Sequence, residues 1–514
     1  MTDITANNKR IAKNTLLLYF RTFITLLVTL YTSRVILQIL GETDFGIYNI
    51  IGGVILIFSF LSNALAVSTQ RFMSFEMGKN NENAVRKVFS MSLTVHIFIV
   101  LIIITLAETI GLWFLETKMN IPNSRMYAAH WVYQLSILSC CVNILRVPYN
   151  ACIISYEKMS FYAYISIIEA VLKLLGVYFL LVFIYDKLIV YSFLMFLVMV
   201  LVSLSYKIYC NKKFNISRYK FFWDKQLFYE MTSFSVWSLF GSAANMAASH
   251  GVAIVVNIFC GVVANAALGI ANQVSHAVSV FITNFQTAFS PQLMKSYAAS
   301  NQDYFMSLIY KTSRYSYYLM LLLGFPLILC CEPILNLWLG NVPVFTVQFT
   351  QLMIVFCMID AMSGPLWISV QATGKIKNYQ ILMCCLISIN LPIAYIILKL
   401  GYSPVWVLVA KVVINMIVHF IRIIYLKKVI KLQALDYIKK VMIRVVSVTI
   451  ISVPLPYIFY YYNHDKADIF IAIILSVLMI LLSVLVIGIS NEERNLLLSK
   501  FSSRIINNDQ YSKK

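Results

Sequence analysis

Fourteen apolar stretches follow one another along almost the whole chain of 514 residues. A helix of about 20 apolar residues crosses the roughly 30 Å hydrocarbon core of a bilayer. Because 60% of the residues are apolar and only 12% are charged, so many stretches cannot all be buried in a water-soluble core. The sequence therefore predicts an all-α polytopic membrane protein, which excludes nucleic acid as a partner despite the net charge of +20. The predicted spans are about 13–40, 44–69, 87–110, 126–146, 161–185, 188–209, 227–258, 262–290, 312–335, 346–370, 379–399, 403–426, 440–461 and 468–489.

The basic residues are distributed unevenly among the segments that join these spans. With a cytoplasmic N-terminus, 31 of the 41 lysines and arginines lie at the cytoplasmic side, 5 lie in outer loops and 5 lie within spans. Lys and Arg accumulate on the cytoplasmic side of membrane proteins. We therefore expect both termini to be cytoplasmic, and we expect the basic face to contact anionic membrane lipids.

The two halves of the chain show similar features at an offset of about 220 residues. Gly46-Ile47-Tyr48-Asn49 on span 2 corresponds to Gly269-Ile270-Ala271-Asn272 on span 8, and a polar linker follows each span. Parallel six-span repeats with a substrate path at their interface are a transporter architecture. The predicted domains are two six-helix bundles, 1–222 and 223–435, then two helices in 436–490 and a cytoplasmic tail at 491–514.

Polar residues recur at helical spacing on the first two spans of each half. In a span, a face of this kind indicates either the wall of a polar cavity or close helix packing with hydrogen bonds across the interface. The packing alternative is strongest for spans 1 and 2, where the stripe on span 1 consists of threonines and Ser33. Two lone histidines on different helices are a poor metal site, so no metal is expected. The cavity candidates on the other three striped spans are Asn49, Asn63, Asn245, His250, Asn265, Asn272, His276 and Thr283.

Ionisable residues within spans are costly and usually face a cavity or a partner. Arg21 and Arg34 lie on span 1 about 220° apart, so they cannot share one helix face. Lys411 on span 12 is a further cation. An arginine in a cavity suits phosphate, because its planar fork of donors binds oxyanions and stays charged. These three residues join the substrate-binding candidates.

The acids within spans are the candidates for ion coupling. Glu169 lies four residues before Lys173, which predicts a self-neutralising pair on span 5. Asp360 on span 10 is the stronger candidate for a carboxylate that exchanges a proton or a sodium ion. Arg314, at the inner end of span 9, is expected to extend to the membrane surface.

Sequence signals of catalysis are missing. The chain has no GxxxxGK[ST] motif for ATP, no HExxH, no DxD and no long outer loop. We therefore expect a transporter without a cofactor, driven by an ion gradient, the membrane potential or the substrate gradient.

Several segments resemble bacterial polysaccharide-export flippases, the Wzx-like branch of the multidrug/oligosaccharidyl-lipid/polysaccharide (MOP) exporter superfamily. The similarity is clearest on span 8, over Asn265-Ala266-Ala267-Leu268-Gly269-Ile270-Ala271-Asn272-Gln273-Val274 and Asn284-Phe285-Gln286-Thr287-Ala288-Phe289-Ser290-Pro291-Gln292. It extends to Leu40-Gly41-Glu42-Thr43-Asp44-Phe45-Gly46-Ile47-Tyr48-Asn49, Gln70-Arg71-Phe72, Trp338-Leu339-Gly340 and Thr373-Gly374-Lys375.

The resemblance implies a MATE-like, V-shaped pair of six-helix bundles in the bacterial inner membrane. It implies that the chain moves an undecaprenyl-pyrophosphate-linked oligosaccharide from the cytoplasmic to the outer leaflet by alternating access, for O-antigen or capsule assembly. A polysaccharide polymerase and a chain-length regulator are then the expected partners. In this picture Arg34 and Arg21 meet the pyrophosphate, while the polar stripes meet the sugar hydroxyls. The second half has only His250 and His276 in place of the arginine that some relatives carry on spans 7 and 8.

Two other functions stay open at this stage. A cation-coupled multidrug exporter of the same superfamily would favour acids in its cavity. A membrane polysaccharide polymerase or glycosyltransferase would need a catalytic group of residues, which the sequence does not reveal.

Overall fold

Helices provide all the regular secondary structure of the described residues, which in this computed structural model are 2–117, 121–182, 185–463, 466–490 and 493–494. Side chains are described from Arg10 onwards, except at 30, 33, 42, 50, 53–63 and 466. Three π-helical turns, at Ala107–Gly111, Ile438–Met442 and Val484–Gly488, continue neighbouring helices. The α-helices are α1 Thr2–Gly78, α2 Glu82–Leu106, α3 Leu112–Thr117, α4 Met126–Ser155, α5 Met159–Phe179, α6 Lys187–Lys213, α7 Lys225–Ala298, α8 Gln302–Leu329, α9 Cys331–Leu339, α10 Thr346–Thr373, α11 Lys377–Ser388, α12 Asn390–Lys399, α13 Val405–Val429, α14 Ala434–Tyr437, α15 Ile443–Ser452, α16 Pro454–Tyr462 and α17 Lys466–Ser483.

Within this part of the chain, 11 helical stretches are long and apolar enough to cross a membrane, and the pair α8–α9, bent by 75°, makes 12. Helix α7 counts once among them, although Gly261 divides its 74 residues. Helix α1 is likewise divided, at Gly41, and its second part adds one more apolar stretch. The all-α polytopic membrane fold is confirmed, with 11 or 12 candidate spans among the described residues.

The backbone repeats its special features at the offset predicted from the sequence. Gly41 and Gly261, 220 residues apart, both have positive φ, near +77° and +78°, where glycine carries no steric penalty. Asn80 and Ser300 adopt the left-handed conformation at the same offset. After them, Asn81 and Asn301 each accept a hydrogen bond from the backbone N–H three residues on and so cap the next helix. The two halves are therefore similar in backbone as well as in sequence.

The chain forms two compact units, each with its own apolar core. The first contains Met1–Ala243, Thr287–Phe305 and Gln371–Ile381, and the second contains Ala244–Gln286, Met306–Val370 and Leu382–Lys514. In the first unit, one core cluster extends from Ile47 to Leu188 and includes Val132 and Ile144. In the second, a cluster extends from Val252 to Leu408 and includes Phe349. The predicted boundaries at 222 and 435 stay predictions, and the tail at 491–514 lies outside the described residues except for 493–494.

Candidate functional site

Four charged side chains lie close together among the helices of the first unit. The Lys173 Nζ donates to Glu169 Oε1 at 2.7 Å, and the Arg146 Nη1 donates to Glu169 Oε2 at 3.2 Å. The Arg21 guanidinium carbon lies 4.5 Å from the centre of the Tyr162 ring. Tyr206 interacts electrostatically with both arginines, which places them in one neighbourhood. We call Arg21, Arg146, Glu169 and Lys173 the four-charge cluster.

The four-charge cluster has a net charge of +2. Arg146 and Glu169 are each only 18% exposed, so their charges are weakly screened by solvent. The Nε atom of Arg21 is buried and has no hydrogen-bond partner among the described residues. A charge within a membrane span that has no counter-ion of its own is destabilising and indicates a function. This cluster can bind an anion, and its arginine forks suit phosphate oxygens.

The predicted Glu169–Lys173 pair is present, but the sequence reading missed its third member. Arg146 was assigned to the cytoplasmic end of span 4, whereas helix α4 continues to Ser155 and keeps Arg146 within it. Its Nη2 also donates to Asn143 Oδ1 at 2.9 Å, one turn earlier on the same helix. In the sequence the apolar run stops at Arg146, because hydropathy marks a charge as the end of a span.

A second polar group lies between α10 and α13 in the second unit. The Lys411 Nζ lies 3.5 Å from Met353 Sδ and 4.7 Å from the centre of the Phe356 ring. The charges that act on Asp360 among the described residues are those of Arg422 and Lys411. Asp360 is exposed although it lies midway along α10, whereas Arg422 is 8% exposed. Arg422, which counts among the basic residues of the cytoplasmic side, lies within α13.

The predicted stripe residues differ in their exposure. Asn265 and Asn272 are partly exposed, and the Asn63 side chain lies outside the described part of the chain. On span 1, Thr15 and Thr22 are buried and donate to carbonyls of their own helix. That arrangement favours the packing alternative for span 1. The exposed candidates are Arg34, Asn49, Asn245, His250, His276 and Thr283.

Glu157 is a buried acid between the predicted spans 4 and 5, and the sequence alone predicts no role for it. Its side chain is 0% exposed, and three groups hold its carboxylate: Arg10 Nε at 2.6 Å, Lys295 Nζ at 2.7 Å and Gln292 Nε2 at 2.8 Å. Lys295 lies near the end of helix α7, so the end of span 8 covers the loop between spans 4 and 5. Lys295 and Arg10 therefore form ion pairs with a buried acid in addition to contributing to the positive charge of the predicted cytoplasmic side.

Arg71 makes the matching contact in the other half of the repeat. Its Nε donates to the Gln371 carbonyl at 3.2 Å and its Nη2 to the Ala372 carbonyl at 3.1 Å. The end of span 2 thus covers the loop between spans 10 and 11. Here a Cβ atom at Gly374 would lie 2.6 Å from Arg71 Nη2, so the close approach requires glycine. The sequence signal is a basic residue near the inner end of span 2 and of span 8, Arg71 and Lys295.

Arg314 differs from its prediction. It is 3% exposed, and its Nη2 contacts both carboxylate oxygens of Glu493 at 3.2 Å, while its Nη1 donates to the Gly488 carbonyl. The expectation that Arg314 extends to the membrane surface was therefore wrong. A counter-ion 179 residues later in the chain offsets the cost of burying this charge.

Neither a protein-family model nor a curated protein sequence matches this chain. Solved structures do match it. A mutant MATE protein has a TM-score of 0.72 at 14% identity, and an outward-facing multidrug resistance MATE transporter of the MOP superfamily has 0.71 at 13%. The chain has the MATE fold. A MOP superfamily transporter from Pyrococcus furiosus, whose binding pocket of reverse polarity suggests a different function, has a TM-score of 0.70 at 12% identity. Each match covers 83% of this chain and 96% of the other.

Proposed function

We propose that this protein is an alternating-access flippase that moves an undecaprenyl-pyrophosphate-linked oligosaccharide from the cytoplasmic to the outer leaflet of the bacterial inner membrane. The observation that carries the proposal is the net charge of +2 on the four-charge cluster within a MATE fold. A pyrophosphate group is an anion that Arg21 and Arg146 are suited to bind. The exposed polar side chains on spans 2, 7 and 8 are suited to sugar hydroxyls.

Export of cationic drugs is the second candidate, because multidrug transporters share the fold. Such a substrate would favour an excess of acids. In both polar groups described above the basic residues outnumber the acids, by three to one in the first unit and by two to one in the second. The Pyrococcus furiosus transporter supports the idea that pocket polarity and function vary on one fold. A polymerase or glycosyltransferase is favoured by no observation.

Asp360 is the better of the two candidates for ion coupling. Glu169 is fixed by cations at 2.7 and 3.2 Å, which stabilise its anionic form and oppose exchange of a proton. Asp360 is exposed and has no ion pair within 4.0 Å among the described residues. We therefore assign proton or sodium exchange to Asp360. The polymerase and the chain-length regulator remain the proposed partners.

Leaflet exchange in proteoliposomes tests the flippase function. Labelled undecaprenyl-pyrophosphate oligosaccharide is reconstituted with the full-length protein, and ethidium efflux is measured in parallel. We expect glycolipid exchange without ethidium efflux. Arg21→Gln should reduce exchange at least about tenfold, because it removes an uncompensated charge without breaking an ion pair. The matched control is Lys427→Gln, which removes an exposed cation outside the cluster and should leave exchange unchanged. Ethidium efflux without glycolipid exchange would replace this function with drug export.

A further inference from the structure

A cavity of about 540 Å³ lies at the predicted cytoplasmic end of the first unit. Three elements form it: the end of α1 at Arg71 and Phe72, the first turns of α7 from Tyr229 to Trp237, and the linker from Thr373 to Asn378. The positive-inside distribution places all three on the cytoplasmic side. The cavity is therefore at the level of lipid headgroups.

The cavity carries an excess of positive charge. Lys375, Lys377 and Arg71 line it, and the acid Glu230 is the one carboxylate among its described lining residues. Both lysines are exposed and form no ion pair with a described residue. Glu230 already accepts a hydrogen bond from Gln226 Nε2 at 3.0 Å. Two lysine ammonium groups thus remain for an anionic ligand.

The backbone that carries these lysines is held in place before any ligand binds. Arg71 donates to the Gln371 and Ala372 carbonyls, and Gly374 packs against its guanidinium with φ near +77°. The Lys375 N–H is bonded to Thr373 Oγ1 at 3.2 Å. A fixed linker lowers the entropy lost when a ligand is bound.

Aromatic rings also line the cavity. The Lys377 Nζ lies 5.3 Å from the centre of the Trp237 ring, so a cation and a flat apolar surface are adjacent. Tyr229 is 72% exposed, and Ser233 and Asn378 add hydrogen-bonding groups. Apolar and aromatic walls with a few placed polar groups are typical of small-molecule sites. A ligand that combines a negative charge with a ring of both polar and apolar character fits this lining.

We propose that this cavity binds the sugar-pyrophosphate headgroup of a lipid-linked glycan at the cytoplasmic surface, as a capture site separate from the four-charge cluster. Lys375 and Lys377 bind the pyrophosphate, and Trp237 packs against the first sugar. The substrate class rests on the proposed function. A lipid-linked ligand is favoured over a free sugar nucleotide, because its headgroup is confined to the plane in which the cavity lies.

Equilibrium binding to the full-length protein in phosphatidylcholine nanodiscs tests the site. The probes are undecaprenyl-pyrophosphoryl-N-acetylglucosamine, undecaprenyl pyrophosphate, UDP-N-acetylglucosamine and phosphatidylglycerol. We expect the first probe to bind best, and Lys375→Gln/Lys377→Gln to raise its Kd at least about tenfold, since each lysine loses a charge-assisted hydrogen bond. Trp237→Leu should weaken binding of the sugar-bearing lipid more than that of undecaprenyl pyrophosphate. The matched control Lys427→Gln/Lys428→Gln removes the same charge outside the cavity and should change Kd by less than about twofold.

Three results would overturn the site. Equal binding of UDP-N-acetylglucosamine would identify a soluble ligand, and equal competition by phosphatidylglycerol would identify a general anionic-lipid surface. An unchanged Kd in the lysine double variant would exclude the cavity altogether.

The leaflet-exchange assay separates failure of the site from failure of the proposed function. Lys375→Gln/Lys377→Gln should raise the glycolipid concentration for half-maximal exchange and leave the maximal rate unchanged, whereas Arg21→Gln lowers the maximal rate. Binding without exchange in the wild-type protein would refute the flippase function and keep the site. Exchange with unaltered concentration dependence in the double variant would refute the site and keep the function.

Discussion

Glu157→Gln is the substitution for which the structure gives the clearest energetic expectation. The carboxylate has 0% exposure and is held by Arg10, Lys295 and Gln292, all within 2.8 Å. Glutamine keeps the size and one acceptor but removes the charge. Lys295, which is 25% exposed, then loses its counter-ion in a site with little access to water.

The magnitude follows from the burial of each partner. Removing one partner of a buried ion pair costs about 3–5 kcal/mol. Arg10 is 47% exposed, so solvent screens its share and it adds at most about 1 kcal/mol. Because glutamine retains an acceptor for Gln292, we expect the free energy of unfolding to fall by about 3 kcal/mol.

The backbone conformation of Glu157 has an effect on stability that opposes that of its carboxylate, because it favours glycine at this position. Its φ is +59°, and the bonds from Glu157 N–H to the Ile154 carbonyl at 2.8 Å and from Lys158 N–H to the Ile153 carbonyl at 3.0 Å form a Schellman motif. Glycine is preferred at this position by about 1 kcal/mol. Glu157→Ala should therefore be about 1 kcal/mol less stable than Glu157→Gly. The presence of glutamate here is explained by its carboxylate.

Unfolding by SDS in mixed micelles, followed by circular dichroism, gives these free energies by linear extrapolation. Glu76→Gln is the control. Glu76 pairs with Lys79, three residues later, and this lysine is 46% exposed, so the substitution should lower the free energy of unfolding by less than about 0.5 kcal/mol. A double-mutant cycle with Lys295→Met should show coupling of at least about 1 kcal/mol. A Glu157→Gln cost below about 1 kcal/mol, or no coupling to Lys295, would refute the reasoning.

Three further predictions concern other contacts. Arg125 binds Asp44 and Asp186 with four hydrogen bonds of 2.6–3.0 Å. Because lysine lacks the planar fork of arginine, Arg125→Lys should lower the free energy of unfolding by about 1 kcal/mol in the same assay. An unchanged free energy of unfolding would contradict this prediction. Glu493 is 10% exposed, and although burial pushes its pKa up, Arg314, Ser490 and Lys311 bring the pKa below its ordinary value. Its contribution to stability is therefore complete above the ordinary pKa, about 4.3, and is lost as the pH falls through the lower folded value. Between pH 7 and pH 3 the free energy of unfolding of Glu493→Gln should fall less than that of the wild type. At pH 7 the substitution itself should lower the free energy of unfolding by about 2 kcal/mol. Gly374 has a positive φ and lies close to the Arg71 guanidinium, so Gly374→Ala should destabilise the folded protein by about 1–2 kcal/mol. A thermal unfolding midpoint equal to that of the wild type would exclude this strain.

Hydropathy, charge distribution and repetition are properties of short stretches of chain, and the sequence by itself determined what depends on them. It predicted the all-α membrane fold and about fourteen helical stretches. The offset of 220 residues reappears in the backbone at Gly41 and Gly261. Glu169 and Lys173 form their pair because residues four apart on a helix are neighbours in any tertiary structure.

Only the tertiary structure decided which charges are paired and which are left over. Arg146 reaches Glu169 from 23 residues away, Lys295 reaches Glu157 from 138, and Arg314 reaches Glu493 from 179. Lysines and arginines at the ends of spans satisfy the positive-inside rule whether they are solvated or buried, so their count contains no information about their partners. Burial of Glu157, the excess charge beside Arg21 and the cavity beside Lys377 result from packing between helices that are distant in the sequence. Local periodicity cannot specify such contacts, because it fixes the face of each helix but not the neighbour that the face meets.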